Sequence, residues 1–202
     1  YDLLLDPDAS ADAGVVAGRE QLHFIAAVTE LALVEGQLAS VPDMQRVLAR
    51  ALAPILSRYD TVILDCPPSL GVLTVNALTV AHEVIVPMQA HYLALRGLEK
   101  LLSTVHLVAQ GLNPALRVSG ILLCMHESQS SHGKAVVEEM RAQFEQYRGS
   151  GLPWSECEIL SPPIRRNVKL AEAPSFGQTI FDYAPQCAGA QDYRAVAASL
   201  RR

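Results

Sequence analysis

Three short apolar runs recur along the chain: TVILD (61–65), HEVIVP (82–87) and RVSGILLCM (117–125), with helical patterns between them. No other feature limits the fold as strongly. Continuous runs rich in Val and Ile suit strands buried on both faces, which is the condition of a parallel sheet. Parallel neighbours need long crossovers, usually helices, and the intervening segments supply them. In 42–56 the residues Met44, Val47, Leu48, Ala51, Leu52 and Ile55 share one helical face, with Pro42 suited to the first turn. LGVLTVNALTVA can form a helix after a turn at CPPS. A helix is predicted near 94–111, stopped by Gly111 and Asn113-Pro114, and another over 132–147. CEIL (157–160) and QTIF (178–181) read as short strands, and 188–200 as a closing helix. The loosest stretch is 148–156, RGSGLPWSE. The expected fold is α/β: a doubly wound, mostly parallel sheet with helices on both faces, forming a single domain over 1–202.

Composition narrows the classes of function. Half of the 202 residues are hydrophobic and 18% are charged, which excludes a disordered or collagen-like chain. No apolar run reaches the roughly 18 residues of a spanning helix. The opening YDLLLDPDAS carries acids where a secretion signal carries bases. Cys66, Cys124, Cys157 and Cys187 form no CxxC, which argues against a zinc site or disulfide framework and for a reducing cytosol. Net charge is −5, so the overall field does not favour coating DNA. Charge is uneven, however. Residues 1–60 sum to −5, 61–150 to −1 and 151–202 to +1, and the last segment clusters Arg165, Arg166 and Lys169. Such a cluster is either a solvated loop or a patch for an anionic partner.

In parallel sheets, ligands bind beyond the carboxyl ends of the strands. The first run ends in Asp65, which reads either as a cap for the next helix or as a Walker B-type carboxylate for Mg²⁺ beside nucleotide phosphates. Cys66-Pro67-Pro68-Ser69 follows. Its two prolines fix φ twice and remove two donors, so the turn can hold Asp65 in place and relay changes around a γ-phosphate. The third run ends in Cys124-Met125-His126-Glu127. IRRNVKLAEAPSFG (164–177) brings three cations and Asn167, which can pair with an adenine edge or make an Asx turn.

RYDTVILDCPPSLGVLTVNALTVAHEVIVPMQAHYLALRGLEKLL resembles the ParA/Soj family of partition ATPases, through Asp65 to Gly71, Thr74 to Leu78, Val84 to Pro87 and Gln89 to Leu98. RNVKLAEAPSFG, Arg166 to Gly177, resembles that family's RNVRLSEAPSHG, and AGAQDYRAVA resembles its C-terminal helix. The likeness runs in order along essentially the whole chain.

The resemblance implies a P-loop NTPase-like fold with ATP and Mg²⁺ as cofactors. It implies an ATP-dependent dimer that binds DNA non-specifically, a ParB-like partner that stimulates hydrolysis, and a bacterial cytoplasmic, nucleoid-associated location. By that likeness Asp65 serves the metal, and Asp65, Cys66, Pro67, Pro68 and Ser69 form a switch. Cys124, Met125, Ile164, Arg165, Arg166 and Asn167 line the nucleotide. Lys134, Arg141, Arg165, Arg166 and Lys169 are the candidates for DNA.

The family's phosphate loop GGxGKT and its D-x-D-P-Q motif do not occur in these 202 residues. The only Gly-Lys pair is Gly133-Lys134, followed by Ala135. The chain is therefore expected to be a family domain truncated at its N-terminus, with TVILD left at an unpaired edge and no ATP hydrolysis on its own. Two positions depart from the family pattern: Gln129 replaces an arginine linked to DNA binding, and Arg165 replaces a proline of the adenine pocket. His91 is read as a surface histidine, Cys66 as a packing residue, and Ser69 lacks a His/Asp partner at any recognisable spacing. The alternatives are a non-catalytic ParA-like DNA- or partner-binding module and a MinD-like membrane-associated ATPase. ASLRR at the C-terminus is too short and weakly amphipathic for the membrane-targeting helix of the latter, so no membrane partner is expected.

Overall fold

A computed structural model describes residues 1–6, 8–127 and 129–200. Ser128 of the strand-end motif and the Arg201-Arg202 end of ASLRR lie outside the described residues. The chain divides into two compact units, residues 1–82 with 107–116, and 83–106 with 117 onward.

The first unit is mainly helical. Short helices α1 (Asp2–Leu5) and α2 (Ala11–Gly14) precede an antiparallel hairpin of β1 (Val15–Arg19) and β2 (Leu22–Ile25). Then follow α3 (Val34–Leu38), a 3-10 turn at Met44–Arg46, α4 (Val47–Leu56) and α5 (Val72–Val80). The face read over 42–56 is the one that packs. Val47 joins Val34 and Leu38 in one core cluster, while Leu52 and Ile55 join Ala11 in another. Asn76, 1% exposed, ties these helices together. Its Oδ1 accepts from Leu48 N (3.1 Å), and its Nδ2 donates to Met44 O (2.7 Å) and Val72 O (2.9 Å). All three bonds are buried or half-buried, so truncation strands several polar groups at once. Asn76→Ala is expected to destabilise the protein by about 2 kcal/mol, read as a fall of roughly 6 °C in Tm.

The second unit holds the parallel sheet. Strand order is β3 (Glu83–Met88), β4 (Arg117–Leu123), β5 (Glu158–Ile159). The register pairs Glu83 with Arg117 through Met88 with Leu123, then Gly120 with Glu158 and Ile121 with Ile159. The central strand is the most deeply buried, with Val118 and Ile121 at 1% and 0% exposure. Helix α6 (Tyr92–Gly111) follows β3, and α7 (Ser131–Tyr147) follows β4. Ser130 caps α7 by accepting from Gly133 N. The turn-rich excursion at 148–156 is anchored by buried Trp154, whose ring meets those of His106 and Tyr147 edge-on, and by Val118 N donating to Pro153 O (2.8 Å). Helices α8 (Val168–Glu172), α9 (Ile180–Tyr183) and α10 (Ala188–Ser199) complete the unit.

Two expected strands do not form. Residues 61–67 carry no strand, and Ile63 is 87% exposed. An apolar extended run becomes a strand only through a ladder partner, and none pairs with it among the described residues. Only Leu64 of that run packs into the Leu52–Ile55 cluster. At 178–181 a cap overrides β propensity. The Thr179 side chain accepts from Asp182 N and donates to the Asp182 carboxylate, so α9 begins at Ile180.

Candidate functional site

The candidate residues fall into two groups. Asp65 to Ser69 belong to the first unit, and the segments 124–127, 134–141 and 164–169 to the second.

In the first group, Asp65 through Ser69 are exposed. Asp65 makes no ion pair or side-chain hydrogen bond among the described residues. The loop is held from below. Thr74 Oγ1 donates to Ser69 O (2.6 Å), and Gly71 caps α5 so close to the Glu35 carboxylate that a Cβ there would collide with it. Partial burial, with the Asp65 charge second, raises the Cys66 thiol. Burial alone raises Cys124, and burial followed by Glu158 pushes Cys157 up to about 12. All three shifts favour the neutral thiol, which suits packing rather than nucleophilic attack.

In the second group, the structure brings the two strand-end segments together. Ile164 N donates to Leu123 O (2.8 Å), His126 N to Ile164 O (2.9 Å) and Arg166 N to His126 O (3.2 Å), so 164–166 runs beside the end of β4. Cys124, Met125 and Ile164 to Asn167 are therefore neighbours. Met125 stands in the left-handed region (φ 49), with Gln89 Nε2 3.0 Å from its sulfur. Such a backbone is rare for a side chain of this size and clusters at functional positions. The Ile164 side chain turns inward, 2% exposed, against Leu122 and Val196. The Asn167 Oδ1 accepts from Lys169 N and caps α8, the Asx arrangement considered from spacing.

The five candidate cations divide sharply. Arg165 offers its backbone N, Nε and Nη2 to the Asp192 carboxylate at 3.0, 3.0 and 2.8 Å. Asp192 is 4% exposed, and the Arg165 hydrogen bonds hold its carboxyl below the usual range. Arg166 pairs with Glu127 (2.7 Å), and Lys169 with Glu172 (2.9 Å). Lys134 and Arg141, both exposed on α7, have no side-chain partner among the described residues. They line a cleft of about 230 Å³ at the carboxyl ends of β4 and β5, with His126, Glu138, Ser161 and Pro163. Sequence reading missed Asp192 and Glu138. The spacing of Glu138 from Lys134 and Arg141 on one helix was available as a signal, whereas Asp192 is 27 residues from Arg165.

Comparison with known proteins gives the fold class and the family. Cobyrinic acid a,c-diamide synthase from Mycobacterium smegmatis, solved with bound ADP and magnesium, superposes with a TM-score of 0.77 and 35% identity, over 100% of this chain and 70% of that one. The fold is thus of the α/β, P-loop NTPase-like class. The AAA domain family (AAA_31) matches residues 1–118. The sporulation initiation inhibitor protein Soj of Bacillus subtilis is 39% identical over 193 residues, 96% of this chain and 72% of that protein. The chromosome partitioning protein ParA of Myxococcus xanthus is 39% identical over 181 residues, 90% of this chain and 60% of that protein. The chain belongs to the ParA/Soj family of partition ATPases.

Proposed function

We propose that the chain works in DNA partitioning as a ParA-type ATPase, in which Mg-ATP joins two copies, the dimer binds DNA without sequence preference, and a ParB-like partner drives hydrolysis and release. Family membership supports the class, and the pair of cations on α7 that have no side-chain partner among the described residues carries the DNA-binding part. Lys134 and Arg141 lie seven positions apart, two helical turns, so both meet one phosphate backbone from one face. Arg165, Arg166 and Lys169 already have acids and contribute less.

The exposed Asp65 carboxylate, without an ion pair among the described residues, fits Mg²⁺ shared with nucleotide phosphates and water, since that ion needs only one or two protein carboxylates. Bound there, Mg-ATP would supply the phosphoryl group transferred to water. The 65–69 turn positions that carboxylate. Within the second unit, the 124–125 and 164–167 segments are by family resemblance those that would serve a nucleotide base, and there the Asn167 Nδ2 is left to donate.

A second reading is a ParA-like DNA- or partner-binding module without turnover. The two α7 cations favour it, since they belong to the second unit and present their charge without a bound nucleotide. Titrating random-sequence duplex DNA at several salt concentrations tests the shared part. With two phosphate contacts per chain, log K should fall against log salt with a slope of about −2, and binding indifferent to salt would refute it. A saturable rise in Tm with Mg-ATP would eliminate the module reading.

A further inference from the structure

Glu138 occupies an unexpected place. It stands four residues after Lys134 and three before Arg141, spacings at which helical side chains of opposite charge can pair. Neither pair forms, and Glu138 has no other partner among the described residues. Its side chain instead lines the same cleft as the two cations. A carboxylate so placed neutralises nothing fully, yet it subtracts from the attraction any phosphate feels on entering. Glu139, the next residue, is also exposed on α7 but does not line the cleft.

We propose that Glu138 sets the strength and salt sensitivity of this surface, keeping its grip on a nucleic-acid phosphodiester deliberately weak. The inference rests on the DNA-binding reading of Lys134 and Arg141 and adds a residue that opposes them. A unit charge about 6 Å from a phosphate in water alters affinity about threefold. The effect fades as salt shortens the screening length toward ~3 Å at 1 M.

The test compares Glu138→Gln with Glu139→Gln in the 202-residue chain, using anisotropy of a labelled random-sequence duplex at low and moderate salt. Both substitutions remove one charge from the same helix, and neither residue is buried. Glu138→Gln should tighten binding about three- to fivefold at low salt, with the gain shrinking as salt rises. Glu139→Gln should change it less than about 1.5-fold. Equal effects of the two variants, or no effect of Glu138→Gln, would overturn the assignment while leaving the DNA-binding reading intact. Wild-type protein with no salt-dependent affinity would overturn both.

Discussion

Replacing Lys134 and Arg141 together by glutamate should lower affinity for duplex DNA on the order of a hundredfold at low salt, and nearly flatten its salt dependence. The reason is geometric. These are the two candidate cations whose charge no neighbouring acid takes up among the described residues, and both line one cleft beside α7. Reversal turns two attractions into two repulsions. The same reversal at Lys169 should weaken binding less than about threefold, because its amine is held by Glu172 and it does not line the cleft. Both α7 positions are exposed, so Tm should hold within a degree or two of wild type. A double variant that binds as wild type does, with Lys169→Glu abolishing binding, would move the DNA surface to the 165–169 segment.

The largest loss of stability is expected at Asp192. Its carboxylate is buried and accepts three hydrogen bonds from Arg165, one of them from the backbone. Asp192→Ala leaves the Arg165 backbone N–H unpaired and removes the partner of a half-exposed guanidinium, and should lower Tm by roughly 8 °C near pH 7. The pH dependence has a definite sign. The folded carboxyl titrates below its unfolded value because Arg165 favours the charged form. The stabilisation is therefore fully present above the unfolded carboxyl pKa, near ~3.9, and is lost as pH falls through the lower folded value. Melting curves of wild type and variant should converge below about pH 4. A difference in Tm that shrinks already between about pH 7 and 5, or that stays constant well below about pH 4, would remove the ion pair as its cause.

Sequence periodicity was enough for the elements whose stability is local or fully buried. Runs of Val, Ile and Leu marked β3 and β4, and the face Val47–Leu52–Ile55 marked α4. It failed where a neighbour decides. TVILD has strand composition, but composition supplies no ladder partner, and Ile63 stands in solvent. QTIF has strand composition too, but one threonine cap outweighs it. The candidate site shows the same division. The motifs placed 124–127 and 164–167 each at a strand end, and the structure sets the two side by side after adjacent parallel strands. They did not show which cations were already occupied. The Lys169–Glu172 pair, three residues apart, was open to inspection. Arg165–Asp192 and Arg166–Glu127 close over 27 and 39 residues, distances set only by the completed fold.

Those ion pairs change how a polyanion would meet this surface. A segment that reads as basic along the chain is largely neutralised in space, which leaves one short helical face as the foothold among the candidate cations of the described residues. Few counterions are displaced by so small a foothold, so residence on any one stretch of duplex would be brief and hopping between stretches frequent. A surface that lets go easily can be gathered and dispersed by a modest change in how many copies act together.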